Sequence, residues 1–231
     1  MKISILFAAI LGLGIGFTAQ GQSQSAQASA TTSVGIHAGT QGFGLHLSQA
    51  LSPQFGLRLS GSYAPYNFSR ARTWGGNHYD LEMKSRFSNL LLQAEYRPFN
   101  QEGKKDFASK LAITVGGAFF FQSEANATGV PTDDYVLGDL IIDREDIGTL
   151  DVKSEWKSVA PYAGLALREL RLGSALSLNI DLGSHYLSAP KVSLTGDKLL
   201  SGNEANEAIL ENNLKNYRWL PVLQLGLSYS F

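Results

Sequence analysis

The chain contains no cysteine. Disulfides, thiolate nucleophiles and cysteine metal ligands are therefore excluded, and the absence suits an exported bacterial protein that avoids oxidation. Charge of one dominant sign is also missing: 19 Lys and Arg face 20 Asp and Glu, a formal net charge of -1. No basic surface marks a nucleic-acid partner. Beyond Phe17 there is no long apolar run. A spanning helix needs roughly 20 apolar residues, so none is expected there. Strands of a membrane barrel are not excluded, because only alternate residues of such a strand face lipid.

What is present begins with an address. Lys2 precedes an apolar run from Ile3 to Phe17, and Thr18-Ala19-Gln20-Gly21 offers small residues where a signal peptidase cuts. The run is too short for an anchor and has no basic flank after it. Residues 1–21 are expected to be a signal peptide, with Ala28 or Ala30 as later cleavage sites. Residues 22–231 have the length of one domain.

The last fifteen residues carry the clearest pattern. From Tyr217 to Phe231 every odd position is aromatic or apolar, and Arg218, Gln224, Gly226, Ser228 and Ser230 stand at even ones. Period two with one oily face means a strand. Aromatics at both ends of that face fit the two water–lipid interfaces. Tyr229 and the terminal Phe231 resemble the signal read by the barrel assembly machinery of the Gram-negative outer membrane.

Similar patterns recur upstream. Val34, Ile36 and Ala38 share one face, and Phe43, Leu45 and Leu47 another, with the parity flipped between them. A two-residue turn at Thr40-Gln41 explains the flip and pairs Ala38 with Phe43, Ile36 with Leu45 and Val34 with Leu47. The alternative is one long strand with a glycine bulge. Six more strands follow, at 55–64, 78–97, 110–122, 151–168, 174–187 and 217–231. Single-chain bacterial barrels have even strand counts, which favours the hairpin. The fold class expected is all-β: an eight-stranded antiparallel up-and-down transmembrane barrel. Residues 65–77, 123–150 and 188–216 read as long loops, and 51–54, 98–109 and 169–173 as short turns. In such barrels the short turns are periplasmic and the long loops external, which puts both termini in the periplasm. Ser201-Gly202-Asn203-Glu204 has capping-box spacing for a short helix in the last loop. A lipocalin-like soluble barrel would reverse the two faces; the aromatic girdles and signal peptide favour the membrane version.

Chemistry resides on the inward faces. Arg58, Glu95, Arg97, Arg168, Asp181 and Arg218 point in, as do His37, His46, His185 and Gln224. Eight strands enclose an interior that side chains nearly fill. These charges read either as a polar conduit or as ion pairs that plug the barrel, and plugging is favoured because unpaired buried charge is costly. The 123–150 loop is acidic, with Asp133, Asp134, Asp139 and Asp143, and reads as a cation-focusing mouth or simply a solvated surface. Its spacing lacks an EF-hand pattern, so no metal site is expected. His78 and Asp80 near the external rim form no recognisable catalytic motif, so no enzyme activity and no cofactor are expected.

Val159-Ala160-Pro161-Tyr162-Ala163-Gly164-Leu165, Ser188-Ala189-Pro190-Lys191-Val192-Ser193-Leu194 and Tyr217-Arg218-Trp219-Leu220-Pro221-Val222 resemble segments of small proteobacterial outer-membrane barrels. The carbapenem-resistance-associated, ornithine-uptake (CarO-like) porin family is the best-known relative. Gly39-Thr40-Gln41-Gly42-Phe43-Gly44 and the polar stretch from Asn203 to Asn216 are similar too. The resemblance implies an eight-stranded monomeric barrel in outer-membrane lipid. It also implies slow or selective passage of small solutes such as basic amino acids. The alternative is a non-conducting structural barrel whose external loops bind a surface partner.

Overall fold

The computed structural model describes residues 31–74, 77–100, 106–137 and 140–231. The expected signal peptide and its cleavage site lie outside these residues, as does Asp139. Twelve strands are described: β1 Thr32–Gly39, β2 Gly42–Ala50, β3 Phe55–Trp74, β4 Asn77–Tyr96, β5 Leu111–Pro131, β6 Tyr135–Leu137, β7 Leu140–Ile142, β8 Leu150–Glu155, β9 Val159–Arg171, β10 Leu176–Tyr186, β11 Lys191–Gly196 and β12 Trp219–Ser230. Two α-helices accompany them, α1 Arg144–Ile147 and α2 Glu207–Leu214.

Eight of the strands close on themselves. The ring runs β1, β2, β3, β4, β5, β9, β10, β12 and back to β1, with every neighbour antiparallel. Closure leaves no free edge within the ring. It is made by β12 against β1, with Tyr229 opposite Val34 and Leu225 opposite Ala38, and the Phe231 amide donates to the Thr32 carbonyl. The β1–β2 hairpin exists as the parity flip requires, with Ala38 opposite Phe43, Ile36 opposite Leu45 and Val34 opposite Leu47. Its left-handed residue is Gly42, at φ 79°. A Cβ there would meet the Tyr63 carbonyl oxygen at 1.9 Å, so only glycine fits.

The outer surface of the ring is apolar. Ile36, Leu45, Leu92, Val115, Leu182 and Leu225 are each between 54 and 61 % exposed. Aromatics flank this belt. At the end holding Thr31 and Phe231, Phe55 and Tyr96 lie tilted against each other with centroids 5.0 Å apart. At the far end stand Phe43 with Tyr63, Phe119 with Phe121, and Tyr186 with Trp219. A closed belt of this size is unfavourable in water and is the lipid-facing surface of a membrane barrel.

The far end departs from the sequence reading in several places. Residues 65–74, read as loop, continue β3 and pair with β4 up to Trp74 opposite Asn77. Residues 123–131 likewise continue β5. The rest of the acidic segment folds as the β6–β7 hairpin and α1. The strand read across 151–168 is two strands: β8 pairs with the upper part of β5 and with β11, whereas β9 enters the ring. β11 lies in what was read as the last loop. These segments make an extramembrane sheet in the order β3, β4, β5, β8, β11. Of these, 65–74, 123–131 and 191–196 read as loops because beyond the membrane the lipid-facing apolar alternation that marks a strand is gone. Ser201 does not cap a helix; its hydroxyl donates to the Lys198 carbonyl. A 3-10 turn covers 203–206 and α2 starts only at Glu207, whose carboxylate accepts the Leu194 amide on the β11 edge at 2.8 Å.

Candidate functional site

The lumen is built in three levels. Nearest the end that holds Thr31 and Phe231 is an ionic level. Arg168 donates through Nη1 and Nη2 to the two Asp181 oxygens at 2.9 and 2.6 Å, and through Nε to Glu95 at 2.8 Å. Arg58 Nη2 lies 3.7 Å from Asp181, and Arg97 joins Glu169 at 2.7 Å and Glu95 at 3.8 Å. Three guanidinium groups thus meet three carboxylates. Arg58, Glu95, Arg168 and Asp181 are each at most 3 % exposed. Buried charge at this depth persists only when paired and hydrogen-bonded in this way.

Strand geometry explains how Arg168 and Glu169, adjacent in sequence, both reach this level. A register shift between β9 and β10 occurs at Asn179. Glu169 takes a left-handed backbone, φ 54°, and its amide donates to Asn179 Oδ1 at 3.1 Å. Such a bulge re-aims side chains that strict alternation would send to opposite faces.

Above lies a histidine level. His37 and His46 point Nδ1 at Nδ1, 3.4 Å apart. Nε2 of His37 is 2.9 Å from Ser62 Oγ, and Nε2 of His46 is 2.7 Å from Ser228 Oγ. Asn179 Nδ2 donates to the same Ser228 hydroxyl. Glycines opposite the rings make this possible: a Cβ on Gly44 would fall 2.6 Å from His37 Nε2, and one on Gly35 2.5 Å from His46 Nε2.

The far end is roofed by apolar side chains. Leu91, Ala118, Phe120, Ala160, Tyr162, Leu187 and Val222 form one buried cluster, with Phe87, Trp156 and Leu220 packed against it. His185 is fully buried between Phe120 and Tyr162, with ring centroids 5.4 and 5.1 Å away. Gln41 folds inward from the β1–β2 turn and accepts from Asn89 at 3.3 Å.

Of the residues singled out in the sequence, Arg58, Glu95, Arg168 and Asp181 come together. Gln224 is buried opposite Asp181 in the β10–β12 register. His185 stands apart, in the roof. Arg218 is a correction: it precedes β12 and sits at the far rim, donating to the Lys215 carbonyl and to Tyr186 Oη. The strand starts two residues later than the alternation suggested, at Trp219, so Arg218 never enters the lumen. The described acidic residues are dispersed rather than gathered at a mouth. Asp133 binds His78 Nδ1 at 2.5 Å, Asp134 accepts the Arg144 amide, and Asp143 precedes α1 without a side-chain cap. The apolar roof was not anticipated. Its signal was Phe119-Phe120-Phe121, three aromatics in a strand, of which one must face inward.

An antiparallel eight-stranded ring with an apolar belt, aromatic girdles and a polar interior has the architecture of the small outer-membrane barrels. Two solved structures share it. CarO from Acinetobacter baumannii superposes with a TM-score of 0.61 and 22 % identity over 86 % of this chain and 97 % of that one. CarO2 from the same organism gives 0.63 and 21 % over 87 % and 99 %. The likeness is one of fold. No family model matches the chain, and no curated protein matches it.

Proposed function

We propose that the protein is a Gram-negative outer-membrane barrel that does not conduct solutes at rest and acts through the surface it presents outside the membrane. In this reading the termini face the periplasm and the β3–β4–β5–β8–β11 sheet faces outward. It sits in outer-membrane lipid as a monomer, inserted by the barrel assembly machinery, and has no enzymatic role. The observation that carries the reading is the filled lumen: Phe120 and Val222 at 2 % exposure and His185 at 0 % close the cross-section above the ionic level. The asymmetry of the connections supports the orientation, since turns such as 51–54 and 172–175 are short and all the extramembrane strands lie at the other end.

Planar bilayers test this. Purified folded protein is expected to give no steady conductance, and liposomes containing it are expected not to swell in basic amino acids. Steady single-channel steps would overturn the reading. They would favour the second one, slow passage of small solutes such as basic amino acids, which the polar lower half of the lumen supports.

A further inference from the structure

We infer that the terminal end of the barrel carries a binding cup for small carboxylates. The inference holds whether or not the lumen conducts. The cup has a volume of about 320 Å³ and is lined by Ser52, Arg97, Glu169, Arg171, Ser177 and Ser230 among others. It leads into a smaller space of about 30 Å³ walled by Arg58, Glu95 and Arg168. The larger volume lies at the lower bound of ordinary small-molecule sites, roughly 300 Å³.

Three observations give the cup its chemistry. Arg97 engages Glu169 through one terminal nitrogen and lies 3.8 Å from Glu95 through the other, which leaves its buried Nε without a partner. Arg171 lines the same cup with no acidic partner among the described residues. Among the described residues the only acid facing them from the wall of the larger cup, Glu169, is already committed to Arg97. The cup is therefore short of negative charge, with guanidinium donors suited to planar, two-oxygen acceptors. The third observation is how the site is held. Glu169 is kept in the left-handed region, which non-glycine residues rarely occupy, by the hydrogen bond its amide donates to Asn179 Oδ1 and by its ion pair to Arg97. Strained backbone of this kind concentrates where a side chain must be held in place. Here it turns the Glu169–Arg97 pair toward the cup wall that Arg171 also lines.

The ligand class is a carboxylate, either a free small acid or the carboxyl end of a short peptide. Folded protein in detergent micelles, at low ionic strength, would be titrated calorimetrically with succinate and with N-acetyl-Ala-Ala, and putrescine would serve as the cationic control. Saturable binding of at least one carboxylate is expected, with none of putrescine. Succinate binding alone assigns the cup to free acids; binding of the peptide, alone or with succinate, assigns it to chain ends. Arg171→Gln should weaken binding about tenfold or more, the loss of one charged hydrogen-bond donor. Glu169→Gln should tighten it by removing the one opposing charge, and Arg218→Gln at the opposite rim should leave it unchanged. Arg171 is exposed, so its variant is expected to fold, which the gel shift of the unboiled barrel verifies. Absence of carboxylate binding, equal binding by Arg171→Gln, or a preference for putrescine would each overturn the proposal.

Discussion

Arg168 shows what a single side chain does in this interior. It is the hub of the ionic level, holding Asp181 with two nitrogens and Glu95 with a third. Replacing it by methionine strands two buried carboxylates, and removal of one partner from a buried ion pair costs about 3–5 kcal/mol. Arg58→Met should cost less, because Arg58 contributes only a 3.7 Å contact to Asp181 and its Nη2 makes no hydrogen bond. Urea titration of the folded band, read from the shift between boiled and unboiled samples, checks the order of the two variants. Equal midpoints would mean that Arg168 is not the hub. The inward parity of both arginines was legible from alternation. Which carboxylate each one meets was not, because that depends on strand stagger around the ring.

At the scale of elements, the β1–β2 hairpin and the extramembrane sheet follow different logic. The hairpin depends on one backbone conformation. Gly42→Ala puts a Cβ against the Tyr63 carbonyl at a positive φ; the left-handed penalty alone is roughly 1–2 kcal/mol. The urea midpoint of Gly42→Ala is therefore expected to fall, whereas that of Gly173→Ala, where a Cβ meets nothing within 4 Å, is expected to stay in place. The extramembrane sheet is held differently: its outward face is laced with charge. Lys153 meets Glu155 at 2.6 Å and Glu124 at 3.8 Å, and Glu124 also lies 3.9 Å from Arg86. The hydrogen bond to Glu155, then that carboxylate's charge, holds the Lys153 ammonium above the usual lysine value of 10.5. A raised folded-state value means that the pair's contribution is complete below the ordinary lysine range. It is lost as pH climbs through the raised value. An NMR titration of the Lys153 side chain should show this delayed loss of charge, and Glu155→Gln should return it toward the ordinary midpoint. The β4 part of this sheet was legible, with Asp80, Glu82, Lys84 and Arg86 at the outward parity of a strand that runs on past the apolar belt; 65–74, 123–131 and 191–196 were not, because the lipid-facing rule fails beyond the membrane.

For the whole molecule the question is what closes it. In the proposed non-conducting barrel, the ionic level and the apolar roof would exclude passage by different means. The roof is a buried, mainly apolar cluster, so a gap in it removes the barrier outright, whereas a change in the ionic level leaves charge behind. The double substitution Phe120→Ala with Val222→Ala is therefore expected to convert a silent barrel into one with steady small conductance in planar bilayers. Glu95→Gln is expected to leave it silent. If the roof variant stays silent while folded, the block lies lower, at the arginines.

Alternation along each strand determined which side chains face lipid and which face in, since a strand has no other period. Even the hairpin at Thr40-Gln41 followed from that parity, and the closing strand that ends at Phe231 belonged against the first strand near Val34 because a closed barrel must pair its last strand with its first. The tertiary structure alone decided the rest. The bulge at Arg168 and Glu169 breaks the alternation and cannot be read from it. The meeting of Arg168 with Glu95 and Asp181, of His37 with His46, and of Phe120 with Val222 depends on shear between strands distant in sequence. Facing is a local property of the chain; what a side chain faces is set by the closure of the ring.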